Sequence, residues 1–356
     1  MAKRSKFFLI VMVLVISIMI GGGPLYRLMA AFPFAADVDS VPVAADVSKG
    51  SSPAISLDLR VDEVRLMAHI DAIAQPRHTP TQKAAARRYI ITQLIDYGLI
   101  PIEQPYAQAD LTGTNIVVTI PGADPLAETI VLSAHYDTVE DSPGADDNGS
   151  AIATLLEAAR IFSPEAQRSQ PDAVKLPNTL KLVFFDQEEQ QSDGSGLLGS
   201  LAFTNSAENM AGVKGAVILD MVGYACHTPG CQRYPMNLPL SNLPETGDFL
   251  LAVGQSTHTD LMDAFVQSEQ TNEPLVLSLP VPQATLRLFP DLLRSDHAPF
   301  WNKSIPAVFV TDTANFRNPN YHSAQDTRDT LDLPFFKGSA QHVVNAVATL
   351  LQKSST

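Results

Sequence analysis

Short apolar runs recur along the chain at Asn115 to Ile120, Thr129 to Ala134, Thr179 to Phe185, Ala216 to Leu219 and Ala307 to Thr311, each rich in Val, Ile, Leu or Phe. Their length and branched side chains predict strands. A different period, with apolar residues at Ala86, Tyr89, Ile90, Leu94 and Tyr97, predicts a helix over Lys83 to Tyr97 that Gly98 closes as a C-cap. Further helices are expected at Ile152 to Phe162, Asp248 to Val266 and Phe335 to Leu351. Strands alternating with helices predict an α/β fold: a three-layer sandwich whose mixed, mostly parallel β-sheet is flanked by helices on both faces of a single domain. Two long proline-containing stretches, Ser163 to Asn178 and Ala225 to Gly247, break the alternation, and loops of that length are usually functional or mobile.

The first residues follow neither period. Lys3, Arg4 and Lys6 precede an uncharged run from Phe7 to Ile20, and the uncharged stretch continues through Gly21, Gly22, Gly23, Pro24, Leu25 and Tyr26 to Arg27. A basic start before an apolar core predicts a membrane-targeting segment over residues 1–34, either a signal anchor or a cleaved signal peptide. The rest of the chain is then exported, held to the membrane on the periplasmic or extracellular side or secreted. Residues 35–53 are small, acidic and Pro/Ser-rich, which predicts a flexible linker before a folded domain over residues 54–356.

Composition narrows the function. The chain carries 38 acidic against 24 basic residues, with 45% hydrophobic and 17% charged positions, so it is globular and acidic. Four of the cations, Lys3, Arg4, Lys6 and Arg27, and none of the acids precede Asp37, leaving 20 basic against 38 acidic groups in the exported part. Nucleic acid is excluded as a partner, because phosphate recognition needs a basic face. Cys226 and Cys231 flank Pro229-Gly230, and in an oxidising compartment they predict a small disulfide loop. Two free thiols and a zinc knuckle with His227 are the alternatives.

The predicted strands end repeatedly in ionisable residues. The second runs into His135-Tyr136-Asp137, with Asp147 twelve residues past His135 and directly before a helix; the third runs into Asp186-Gln187-Glu188-Glu189, the fourth into Asp220, and His322 follows the last. Taken singly, each is an ordinary surface histidine, helix cap or turn residue. Together they form a mixed nitrogen and oxygen donor set at the carboxyl ends of strands, where ligand sites in open α/β sheets collect, and the set suits zinc or a similar divalent ion.

These stretches resemble the co-catalytic di-zinc exopeptidases, which include bacterial leucyl aminopeptidase, aminopeptidase Y, glutamate carboxypeptidase and, more distantly, glutaminyl cyclase and the transferrin receptor ectodomain. The resemblance rests on HYD at 135–137, PGADDNGS at 143–150, EE at 188–189 followed by GLLGS at 196–200, LDMVGY at 219–224, SDHAPFW at 295–301 and NYHSAQDT at 320–327. It implies two zinc ions bridged by Asp147, one also held by His135 and Asp220 and the other by Glu189 and His322. A single zinc needs only three protein ligands, so five with a bridging carboxylate fit a pair. Asp137 is then placed to orient His135, and Glu188 is left beside the metals as general base. The implied reaction is hydrolysis of peptides with a free amino terminus through a metal-activated water. A dipeptidase or carboxypeptidase of the same metal chemistry, a glutaminyl cyclase and a non-catalytic receptor-type ectodomain are the rivals. In the resembling family the peptide after the bridging aspartate is cis, which is expected here at Asp147-Asn148. Gln190 to Ser195 interrupt the usual run from the glutamate pair into GLLGS, which concerns the adjacent pocket. Asp296 and His297 are expected to line the pocket or support His322, with a helix cap at Asp296 as the alternative. Ala225 to Gly247 is expected at the substrate rim, and Arg287 and Arg294 are candidates for a substrate carboxylate.

Overall fold

A computed structural model of the chain describes residues 57–353 except 109, 124–126, 170–175, 192, 235–242, 269, 271–272, 284–285 and 287–289. The expected targeting segment, the linker and Arg287 lie outside the described residues. So do eight positions, 235–242, of the expected substrate rim. The strands are β1 (Ile102–Gln108), β2 (Leu111–Ile120), β3 (Thr129–His135), β4 (Thr179–Phe185), β5 (Val213–Leu219), β6 (Phe249–Gln255), β7 (Leu275–Val281) and β8 (Ala307–Thr311). They form one sheet in the order β1-β2-β4-β3-β5-β8-β6-β7. The four central strands, β4, β3, β5 and β8, pair in parallel, so their carboxyl ends open on one edge. β6 and β7 are also parallel to each other, while β1–β2, β2–β4 and β6–β8 are antiparallel. The sheet is therefore mixed.

Alternation along the central strands feeds two separate cores. Leu132, Leu182 and Val217 pack on one face beneath α1 (Glu63–Ile73), α2 (Pro80–Asp96), α3 (Ala151–Phe162) and, after the strands, the long C-terminal helix Leu333–Gln352. Their neighbours Val131, Val183 and Ile218 face Phe203 of α4 (Leu198–Asn205), and Phe300 and Trp301 of the helix His297–Asn302, on the other. Residues buried on both faces explain why these strands read as unbroken apolar runs. The helix starts follow local chemistry: Asp62 accepts from the Val64 and Arg65 amides, and Thr79 with Gln82 forms a capping box before Pro80. α2 therefore begins three residues before the predicted start.

One expected helix is wrong. Asp248 to Val266 divides into strand β6 and a short helix, α5 (Asp260–Gln267). Phe249-Leu250-Leu251-Ala252-Val253 lies between β8 and β7, buried except at the half-buried Leu251, and a short continuous apolar run has no period by which to tell strand from helix. α1 and the two edge strands, β1 and β7, had no strong pattern: the edges are half exposed and each contains a proline. Among the described residues no helix is long and apolar enough to cross a membrane.

Candidate metal centre

The open edge of the parallel strands gathers the ionisable residues. His135 ends β3, Asp220 follows β5, Glu188 and Glu189 follow β4, Asp147 lies in the turn before α3, and His322 lies in the loop after β8. His135 Nε2 stands 3.4 Å from Asp147 Oδ1 and 3.6 Å from Asp220 Oδ1. His322 Nε2 stands 3.2 Å from Asp147 Oδ2 and 3.1 Å from Glu189 Oε2. The two oxygens of Asp147 thus face different partners. Donors on one tetrahedral ion with bonds near 2.0–2.1 Å stand about 3.3–3.4 Å apart, and the observed separations bracket that edge length. Each of the sets His135/Asp147/Asp220 and Asp147/Glu189/His322 has its donor atoms within 4.8 Å of one another. Imidazole nitrogen and carboxylate oxygen are the donors that zinc and similar ions take, so the residues present fit such an ion.

The electrostatics ask for cations. Asp137, Asp147, Glu188, Glu189 and Asp296 are all buried, with Asp220 only partly exposed, against two imidazoles. Burial holds the Glu188 carboxyl well above its ordinary value, with Asp220 and Glu189 adding to it. Burial, and then the Asp147 charge, pushes Glu189 up to about 7. Burial opposes the charge on His322, but its bonds to Asp147 and Glu189 outweigh that and carry it to about 10. For His135 likewise, burial is overcome by Glu188 and the surrounding carboxylates, and the ring is held well above its usual range. Without metal, this centre retains protons because its negative charges lack partners.

Around the donors the chain fixes its own geometry. Asp137 accepts from the amides of both glutamates, Glu188 at 3.0 Å and Glu189 at 3.2 Å, while His135 Nδ1 lies 3.2 Å from its carbonyl and 3.5 Å from its carboxylate. Its stronger grip is on the glutamate turn, beyond the expected tie to His135. Asp326 accepts from the Asp146 and Asp147 amides, each at 2.9 Å, and its carbonyl accepts from Ala145. Ser295 Oγ donates to Asp220 Oδ2 at 2.7 Å. Asn148 links the same turn to β5, donating to the Leu219 carbonyl and accepting from the Met221 amide, and the Asp147-Asn148 peptide is cis. Behind them Arg77, 1% exposed, donates to the carbonyls of Ile73, Gln75, Tyr136, Pro143 and Gly144. Gly144 has φ +61°, and a Cβ there would meet the Arg77 guanidinium at 2.6 Å, so the turn requires glycine. Arg77 and Asp326 lay outside the predicted set. Asp326 was visible only as part of a motif, and nothing near Arg77 marks it.

Other expectations resolve individually. Asp296 sits at the start of the helix His297–Asn302, yet its side chain caps nothing and neither carboxylate oxygen has a hydrogen-bond partner among the described residues. His297 does not support His322: its Nε2 bonds the Leu292 carbonyl, and the ring lies between Phe309 and Trp301, a buried neutral imidazole lowered to about 4 by burial. The insertion Gln190 to Ser195 closes on itself, with the Gln191 amide on the Ser195 carbonyl, and Leu197, Leu198 and Gly199 return to the carbonyls of Glu188, Gln187 and Asp186. The chain therefore re-enters α4 at the glutamate turn. Cys226 and Cys231 form a disulfide with Cα atoms 6.2 Å apart.

A profile of peptidase family M28 matches residues 115–348. The uncharacterized protein YfbL of Escherichia coli (strain K12) is 34% identical over 250 residues, covering 67% of this chain and 71% of that protein. The probable leucine aminopeptidase 1 of Trichophyton verrucosum is 29% identical over 249 residues, 66% of this chain, which spans only 57% of that protein. In fold, the chain is similar to the zinc aminopeptidase BSAP of Bacillus subtilis, with TM-score 0.61, 14% identity and 82% and 96% of the two chains covered. It is also similar to a glutaminyl cyclase of Macrostomum lignano, with TM-score 0.60, 16% identity and 83% and 91% covered.

Proposed function

We propose, from the premise that the chain belongs to peptidase family M28, that it is a zinc-dependent aminopeptidase that removes amino-terminal residues from peptides. The observation that carries the reading is the division of Asp147, one oxygen toward His135 and Asp220's side of the centre, the other toward His322 and Glu189. It supports two zinc ions per chain, held by His135, Asp147 and Asp220 and by Asp147, Glu189 and His322. Ions held by these residues would supply Lewis acidity to the scissile carbonyl and would lower the pKa of a nearby water. Glu188 faces the same space, 4.0 Å from His135 Nε2, and serves as general base, taking the water proton and returning it to the leaving amine. Asp137 holds both glutamates in register through their amides, so the base and its neighbouring ligand stay on opposite duties. The carboxylate-rich surroundings favour a substrate's ammonium terminus.

Leucine aminopeptidase relatives support the peptide substrate, and the glutaminyl cyclase fold leaves a second reading open to test. The retained His135–Asp147–Asp220 set, beside the Asp147–Glu189–His322 set, favours the two-ion hydrolase. The basic and apolar start supports export, with residues 1–34 as anchor or signal, 35–53 as linker and 54–356 as the catalytic domain on the outer side of the membrane. Metal analysis of the purified protein, with amino-acid amide hydrolysis before and after chelation, tests the function. Near two zinc per chain and activity lost and regained with metal is the expected result. Cyclisation of glutaminyl peptides without amide hydrolysis overturns it.

A further inference from the structure

Between the end of β4 and the glutamate pair the chain makes a strained turn. Gln187 has φ +57°, in the left-handed region that a residue with a side chain keeps only where its surroundings fix it. Beyond that turn the two neighbouring carboxylates part: Glu188 Oε2 lies 4.0 Å from His135 Nε2, and Glu189 Oε2 lies 3.1 Å from His322 Nε2. On the far side of Gln187 the glutamate amides are held by Asp137. On the near side the anchors converge on Asp186. Its amide donates to Asn115 Oδ1 at 3.1 Å, its carbonyl accepts from the Tyr106 hydroxyl at 2.8 Å, and its Oδ2 accepts from the Thr114 amide at 3.0 Å. The other carboxylate oxygen, Oδ1, stands 2.8 Å from Lys83 Nζ on α2. Lys83 is the one lysine buried among the described residues, and the side chains of the pair are 8% and 1% exposed.

We propose that Lys83, acting through Asp186, is a positioning residue that holds the glutamate turn and so sets where Glu188 and Glu189 stand. This deepens the aminopeptidase reading, and the role of Glu188 as base rests on it. Taking two charges out of water offsets most of what their attraction returns, so a buried pair adds little stability for its own sake and is better suited to fixing one geometry. Here the geometry is that of a carboxylate gripped from both sides, by a strand amide on one oxygen and a helix ammonium on the other. Without the ammonium, Asp186 is a buried charge with one amide for company, and it relieves that by turning toward water. The anchor ahead of Gln187 then slackens, the left-handed residue relaxes, and both glutamates shift together.

The test compares the full-length protein with Lys83→Met, Asp186→Asn and the double variant. Either single change leaves one buried charge unpaired and lowers stability, so the double variant, which buries neither charge, decides. Its urea midpoint should recover toward the parent's. Its zinc affinity, titrated against a competing chelator, and its kcat for Leu-nitroanilide at saturating zinc should each stay about 10- to 100-fold below the parent's, with KM within about threefold, because the ligand and the base remain misplaced while the substrate's own contacts do not change. Asp186→Asn keeps the shape of the side chain and should show the same two losses alone. Recovery of zinc affinity or of kcat along with the midpoint makes the pair merely structural and overturns the proposal, as does a raised KM with kcat unchanged. An inactive zinc-loaded parent sinks the aminopeptidase reading, and the zinc affinities alone then decide for Lys83.

Discussion

Two buried polar regions lie side by side at the edge of the sheet, and they are built on opposite principles. Around Arg77 the chain supplies everything: one cation donates to five carbonyls from three segments. Around Asp147 it supplies only half: carboxylates and imidazoles face one another at 3.1–3.6 Å, and the only positive charge these residues can offer is a proton on an imidazole, which a metal would displace. Burying charge without partners costs several kcal/mol per ion, so the second arrangement is stable in company it does not itself provide. A complete polar centre holds structure, whereas an incomplete one awaits a ligand.

Substitutions should separate the two by what they disturb. The largest effect is expected at Glu188→Gln, which keeps shape while removing the proton acceptor: about 100- to 10,000-fold in kcat, roughly 3 to 5 kcal/mol, with metal content unchanged. Zinc loss from this variant, with two ions kept by Glu189→Gln, reverses the two roles. Arg77→Met should remove one donor from each of five carbonyls, of which Ile73 and Gly144 keep the amides of Gln75 and Gly149, and lower stability by about 3 kcal/mol, read as a shifted urea midpoint; an unmoved midpoint would contradict the structural role. Asp137→Asn and Asp326→Asn, which weaken the grip on the glutamate and Asp147 turns, should each cost about 10- to 100-fold in metal affinity or activity. Titrating both variants with zinc in a competing chelator checks this, and parent-like affinity and rate in both would detach these residues from the centre.

The smallest signal is a proton. His322, held up to about 10 by its carboxylate neighbours, is charged at pH 8 in the metal-free protein but must be neutral to bind metal. Zinc uptake at that pH should therefore release about one proton from this group, and affinity should rise with pH up to the histidine's own value. Calorimetry in two buffers of different ionisation enthalpy measures it. Uptake of protons on zinc binding would show that the sign is wrong.

Much of this was legible in the sequence. Parallel strands end where ligands collect, so His135, Asp220 and the glutamate pair could be read from apolar runs that stop at ionisable residues, and the motifs supplied Asp147 and His322. β6 was read as helix because a strand buried on both faces has no period to display. Arg77 was invisible for a related reason: its partners are backbone carbonyls, which every residue has, so no side-chain pattern accompanies it. Asp326 stood in plain view as one more acid in a polar loop. Its role depends on meeting the Asp146 and Asp147 amides, 180 and 179 positions earlier, and sequence neighbours carry no trace of such a meeting.

That meeting bears on how the centre is assembled. The loop that brings His322 also brings the Asp326 carboxylate that fixes the turn holding Asp147, so one late segment both adds a donor and sets an early one. Contacts between such distant positions form only after a long loop has closed. Until the Asp326 loop has docked, the turn that carries Asp147 lacks this clasp. A lesion in that one loop would therefore reach two donors at once, His322 directly and Asp147 through the amides that Asp326 holds.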